Sequence, residues 1–166
     1  MKAPIRRLAF LALVASGPAA AEEGALVAIS AGEYNTVDQS RAAAELGLQW
    51  RGGGRWWVFH PIVGGMVTHQ GAMHGYVGFT FDLPLGPHVV VRPSFAPGLY
   101  RQGGGKDLGY PLEFRSGLEI GWRLSGGTRV GAEFYHISNA SLGDKNPGEN
   151  SLMLVVAIPI ANLFGR

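Results

Sequence analysis

The stretch Leu112-Glu113-Phe114-Arg115-Ser116-Gly117-Leu118-Glu119-Ile120-Gly121-Trp122-Arg123-Leu124 decides how this chain folds. Leu112, Phe114, Ser116, Leu118, Ile120, Trp122 and Leu124 fall on one side of an extended chain. Glu113, Arg115, Gly117, Glu119, Gly121 and Arg123 fall on the other. Side chains alternate along a strand, so this segment is a strand with a greasy face and a charged face.

The same alternation recurs outward from it in both directions. Met73 to Phe81 puts Met73, Val77, Phe79 and Phe81 opposite His74, Tyr76 and Thr80. Arg41 to Trp50 puts Ala42, Ala44, Leu46, Leu48 and Trp50 opposite Arg41, Glu45 and Gln49. Val89 to Leu99 repeats the theme but carries Pro93 and Pro97, which argue for a short or bulged strand. Ala25 to Tyr34, Arg55 to Val67, Thr128 to Ser138 and Asn150 to Ile160 complete a set of eight.

The connections alternate in character. Arg51 to Gly54, Pro84 to Pro87 and Ser125 to Gly127 read as tight turns. Asn35 to Gln39, Thr68 to Ala72, Tyr100 to Tyr110 and Asn139 to Glu149 are longer or more polar. Tight turns at one end, longer loops at the other and strands of about ten residues fit an eight-stranded antiparallel up-and-down transmembrane β-barrel. Closure would remove the exposed edges that so much β-structure otherwise presents. Trp50, Trp56, Trp57, Trp122 and Tyr100 are candidates for its interfacial aromatic belts. A soluble eight-stranded barrel with an apolar inside, such as a lipocalin, is the alternative, and its charged faces would point outward. Recurring greasy faces and tight turns at alternate connections favour the membrane barrel.

The first 21 residues read separately from the barrel, which is expected over residues 22–166. Lys2, Arg6 and Arg7 precede an apolar run from Leu8 to Val14 and the small residues Ala19-Ala20-Ala21. This is the pattern of a secretory signal peptide cleaved after Ala21. Without those three cations the 14 basic residues fall to 11 against 12 acidic ones, a net charge of −1 instead of +2. The balance gives no reason to expect nucleic-acid binding. There is no cysteine, which excludes disulfides and thiolate catalysis. His60, His69, His74 and His88 lack metal-ligand spacing and read as solvated or girdle residues. The glycine runs at 52–54 and 103–105 lack a phosphate-loop or dinucleotide context and read as turns.

The chemistry concentrates in the last hairpin. Val130, Ala132, Phe134, His136 and Ser138 share one face of the seventh strand, so a polar pair continues a greasy row. On the eighth strand Asn150 heads the row of Leu152, Leu154, Val156 and Ile158, while Glu149 has the opposite parity. In a membrane barrel these rows face lipid, where polar groups are costly and therefore candidates for function. A serine hydroxyl needs a base to take its proton, and the base needs a third group to hold its other nitrogen. The pattern assigns Ser138 as nucleophile, His136 as general base and then acid, and Asn150 as orienter. Taken alone, a His-x-Ser pair is more often ordinary surface polarity at a strand end.

Phe134-Tyr135-His136-Ile137-Ser138-Asn139-Ala140, followed by Asn146-Pro147-Gly148, resembles the signature of the lipid A 3-O-deacylases of the PagL type. The resemblance implies a hydrolase of the Gram-negative outer membrane, facing the outer leaflet and removing the ester-linked 3-acyl chain of lipid A. Its partners would be lipopolysaccharide and membrane lipids, and it implies no cofactor. The family's serine and histidine fall on Ser138 and His136. Its oxyanion-hole asparagine falls on Asn139, and its second oxyanion donor is the backbone N–H of Ser141. The family's acidic third member falls on Asn150 in an ungapped alignment. Either Asn150 replaces that acid, or a bulge turns Glu149 outward as the alternative third member. A non-enzymatic barrel with a degenerate hairpin, adhesive or structural, is the competing reading, and a phospholipase on a similar barrel is a weaker one.

Overall fold

The computed structural model describes residues 24–54 and 57–165. The expected signal peptide and Trp56 lie outside the described residues. The strands are β1 (Leu26–Tyr34), β2 (Ala43–Arg51), β3 (His60–Thr68), β4 (Met73–Thr80), β5 (Leu83–Leu85), β6 (Val89–Arg101), β7 (Leu112–Arg123), β8 (Arg129–Ser138) and β9 (Glu149–Pro159). One helical turn, α1 (Ile160–Leu163), follows. All pairings are antiparallel. β1 pairs with β9, and β4 pairs with β6, so the sheet closes on itself.

Nine strands make eight staves. β5 meets β6 in the register that β4 already set: Thr80 faces Ser94, and Leu83 faces Val91. β5 is therefore the continuation of β4 beyond a break at Phe81–Asp82. The expected tight turn at Pro84–Pro87 is displaced accordingly. Leu83–Leu85 is ladder, and the chain reverses through Gly86 (φ +74°), Pro87 and His88.

The two prolines explain the break. β6 is the longest strand, at 13 residues, not the short or bulged one that Pro93 and Pro97 led us to expect. Backbone donors alternate between a strand's two neighbours, so prolines four residues apart remove donors on the same side. That side faces β4 and β5. Its pairing lapses at Val77–Gly78, opposite Pro97, and again opposite Pro93. On the other side the β6–β7 ladder runs unbroken from Val89↔Trp122 to Leu99↔Leu112.

Alternation decides between the two barrels. Leu46, Leu48, Val77, Ile120 and Leu154 stand exposed on the outer wall. Glu45, Arg51, Arg115, Glu119, Arg129 and Glu133 are buried inside. Apolar outside and charged inside is the arrangement of a membrane barrel, not of a lipocalin. Inside, opposite charges pair: Arg51 to Glu119 at 2.5 Å, Arg115 to Glu133 at 2.9 Å, and Arg92 and Arg129 to Asp82 at 2.6 and 2.7 Å. The Arg115 guanidinium also lies 3.9 Å from the centre of the Tyr135 ring. The void among these groups measures about 10 Å³, room for a single water at most.

Two expectations about aromatic and histidine side chains need correction. Trp50, Trp57 and Trp122 form an exposed girdle at the rim carrying the tight turns, and His88 stacks on Trp122. Tyr100 does not join them. It lies inside, its hydroxyl 2.7 Å from that of Tyr34, because it shares parity with the inward residues of β6. His74 is neither solvated nor in a girdle. It is buried inside, on β4 opposite Tyr100 of β6.

Candidate active site

β8 and β9 run side by side with His136 directly opposite Asn150 and Ile137 opposite Glu149. No bulge interrupts this register, and Glu149 does not turn outward in this structure. Glu149 points into the barrel and is fully buried. Its Oε2 lies 3.3 Å from the backbone N–H of Asn35 and 3.1 Å from Ser151 Oγ. Ser151 also reaches Glu45, which accepts a hydrogen bond from the Tyr135 hydroxyl. Glu149 thus belongs to the internal polar network.

On the outer wall, His136 Nδ1 lies 3.0 Å from Asn150 Oδ1. An amide oxygen only accepts, so in this orientation Nδ1 carries the proton and Nε2 has the free lone pair. Gly148 determines where that nitrogen goes. A Cβ on Gly148 would lie 2.6 Å from His136 Cε1 and 3.1 Å from Nε2. Continuing the β8–β9 register, Gly148 stands opposite Ser138. The far edge of the imidazole therefore leans over a bare backbone patch in the row of Ser138. Gly148 also has φ +59°, which glycine adopts without strain. No hydrogen bond joins Ser138 to the imidazole in this structure. Such bonds are often long before substrate binds.

Beyond Ser138 the chain turns sharply. The Leu142 N–H donates to the Asn139 carbonyl at 3.0 Å, with Ala140 at φ +52° and Ser141 at φ +65° between them. Two successive left-handed residues make a type I′ turn. Neither is glycine, so each carries about 1–2 kcal/mol of strain.

Asn139 is placed differently from what the resemblance implies. It is fully buried, and its Nδ2 donates to the carbonyls of Leu108 and Lys145, both at 2.8 Å. Its backbone N–H donates to Asn146 Oδ1 at 3.0 Å. In this structure its donors are engaged in tying the 102–111 and 139–148 loops together. A second tie, Lys145 Nζ to Asp107 at 2.6 Å, holds the Asp107 carboxyl below the usual range through that hydrogen bond. Lys106 does the same for Asp38 on the first loop. No group of three or more His, Asp or Glu side chains among the described residues could hold a metal ion.

An eight-stranded closed antiparallel barrel with an apolar outer wall and a charged interior defines a class: a β-barrel of the outer-membrane type. A profile of the lipid A 3-O-deacylase (PagL) family matches residues 31–159, and the chain belongs to that family of hydrolases. It is 27% identical over 179 aligned residues to lipid A deacylase PagL of Pseudomonas aeruginosa, covering 92% of this chain and 96% of that protein. Its fold matches the crystal structure of the outer membrane enzyme PagL with a TM-score of 0.64 at 23% identity, over 81% of this chain and 99% of the other.

Proposed function

We propose that this protein hydrolyses the 3-O-linked acyl ester of lipid A with Ser138 as nucleophile, His136 as general base and then acid, and Asn150 as the group that orients His136. The observation that carries this reading is the Nδ1–Oδ1 contact on the outer wall, which leaves Nε2 as the free base beside the serine. Nε2 takes the Ser138 proton as Oγ attacks the ester carbon. The tetrahedral oxyanion is met by the backbone N–H of Ser141, presented by the strained turn. As it collapses, the imidazolium returns its proton to the departing 3-hydroxyl oxygen. Water, deprotonated by His136, then releases the fatty acid from Ser138.

The outward placement suits this substrate, whose acyl chains lie beside the barrel wall. The site faces the outer leaflet, and residues 1–21 are removed on export. An intact mass of the exported protein that still includes them would refute the latter point. Asn150 orients the imidazole but brings no negative charge to balance the imidazolium, so this is a slower enzyme than one with a carboxylate there.

The test is incubation of the folded protein in detergent with purified lipid A, followed by mass spectrometry. Loss of one 3-O-linked acyl chain is expected, and Ser138→Ala is expected to abolish it. Fatty-acid release from phospholipid vesicles without loss from lipid A would reassign the substrate. Glu149→Ala should leave the rate within a few-fold and Asn150→Ala should not. The reverse result would return the third role to Glu149.

A further inference from the structure

Among the described strand carboxylates, Glu45, Glu113, Glu119, Glu133 and Glu149 are buried inside the barrel. Glu33 alone stands on the outer wall. It lies on β1 opposite Leu152 of β9, two residues along from Asn150. Diagonal neighbours of this kind have Cβ atoms about 7–8 Å apart, within reach of long side chains. Two bonds draw the group toward Asn150: the Thr36 hydroxyl donates to Glu33 Oε2 at 3.0 Å, and the Thr36 N–H donates to the Asn150 carbonyl at 2.8 Å. Asn35, which alternation would set beside Asn150, is instead turned inward at φ +55° and buried.

An asparagine in the third position raises a problem that a carboxylate does not. A carboxylate offers only acceptors to the imidazole, whereas an amide offers an acceptor on one side and a donor on the other. Presented by its Nδ2, Asn150 would leave the proton on Nε2 and disable the base. Asn150 Oδ1 faces His136, and Nδ2 donates to no group among the described residues. Nothing within the amide itself selects that orientation.

We infer that Glu33 is the positioning residue that does so: a rotation of its side chain brings the carboxylate to Asn150 Nδ2, a hydrogen bond not made in this structure, and that bond would hold Oδ1 toward His136 Nδ1. This rests on the reading of Ser138, His136 and Asn150 given above. Glu33 touches no reacting atom. It acts through the amide on the histidine tautomer.

The experiment compares wild type, E33Q, E33D, N150E and the double variant E33Q/N150E, each folded in detergent and assayed on purified lipid A. E33Q is expected to lower kcat about 10- to 100-fold, the usual range for groups that orient a catalytic ligand, with KM little changed. E33D should recover part of the loss. In the N150E background E33Q should cost nothing, because a carboxylate needs no orienting. Nitrogen NMR of labelled His136 gives a readout independent of turnover: the Nδ1–H tautomer in wild type and a mixture in E33Q. E33Q at the wild-type kcat, an equal E33Q loss in the N150E background, or an unchanged tautomer in E33Q would each overturn the proposal. Should N150E fail to fold, the E33Q tautomer decides. Continued hydrolysis by Ser138→Ala would instead sink the nucleophile assignment, and the tautomer result would stand apart from it.

Discussion

Arg115 and His136 sit on adjacent strands, one residue apart in register, and face opposite ways. Arg115 points inward, where it finds Glu133 and the rings of Tyr76 and Tyr135. His136 points outward, among Phe134, Leu152 and other apolar neighbours, and finds one amide. Inside, Arg51 pairs with Glu119, Arg115 with Glu133, and Arg92 and Arg129 with Asp82, so each of these buried cations has a carboxylate partner. The outward polar groups are few and sit where they are costly, which is how chemistry, rather than folding, marks a wall.

His136→Ala should draw that contrast most sharply. Activity on lipid A should fall by a factor on the order of 10³ or more, while the heat-dependent gel shift of the folded barrel stays as in wild type. Loss of the shift would mean that His136 holds the barrel together. Arg115→Ala tests the other side. Removing it leaves Glu133 buried without its partner, so urea titration of the vesicle-inserted barrel should show roughly 3–5 kcal/mol lost. A variant as stable as wild type would erase the distinction between the two faces. Gly148→Ala lies between them. The new methyl would press on His136 Cε1 from a left-handed backbone, so the turnover rate should drop about tenfold or more at roughly 1–2 kcal/mol of stability. Equal losses in rate and stability would show that the glycine serves folding alone.

The smallest effect concerns the rim. Asp107 is bound to Lys145 and has its pKa lowered in the folded state. Its contribution is therefore complete above the unfolded aspartate value of about 3.9 and is lost as pH falls through the lowered folded value. Hydrogen-exchange protection, taken relative to the intrinsic rate at each pH, should stay constant in residues 102–111 and 139–148 from neutral pH to about pH 4 and fall only below it, with the strands unaffected. A loss of protection between pH 7 and 5 would point to a different tie between the loops.

Most of the barrel could be read from alternation alone, because one period of two governs every stave. Leu46, Leu48, Ile120 and Leu154 point out and Glu45, Arg115 and Glu119 point in, as their parity requires. Parity also put His136 and Asn150 on one wall and Glu149 on the other. What it could not give depends on contacts outside a single strand. The two prolines read as interruptions of β6, yet their effect falls on its neighbour, since a missing N–H belongs to a ladder and not to a strand. Tyr100 was judged by its type and not by its row. Asn139 follows the serine, but two carbonyls from other parts of the loop rim claim its amide. Glu33 drew no notice because its significance depends on β1 closing against β9, a pairing between the two ends of the chain.

The packed interior has a consequence for permeability. Among the described residues, Arg51, Tyr76, Arg115 and Glu133 crowd the interior and leave a void of only about 10 Å³ between them. A lumen blocked at that level is expected to pass no ions, so copies added to a planar bilayer should bring no channel conductance.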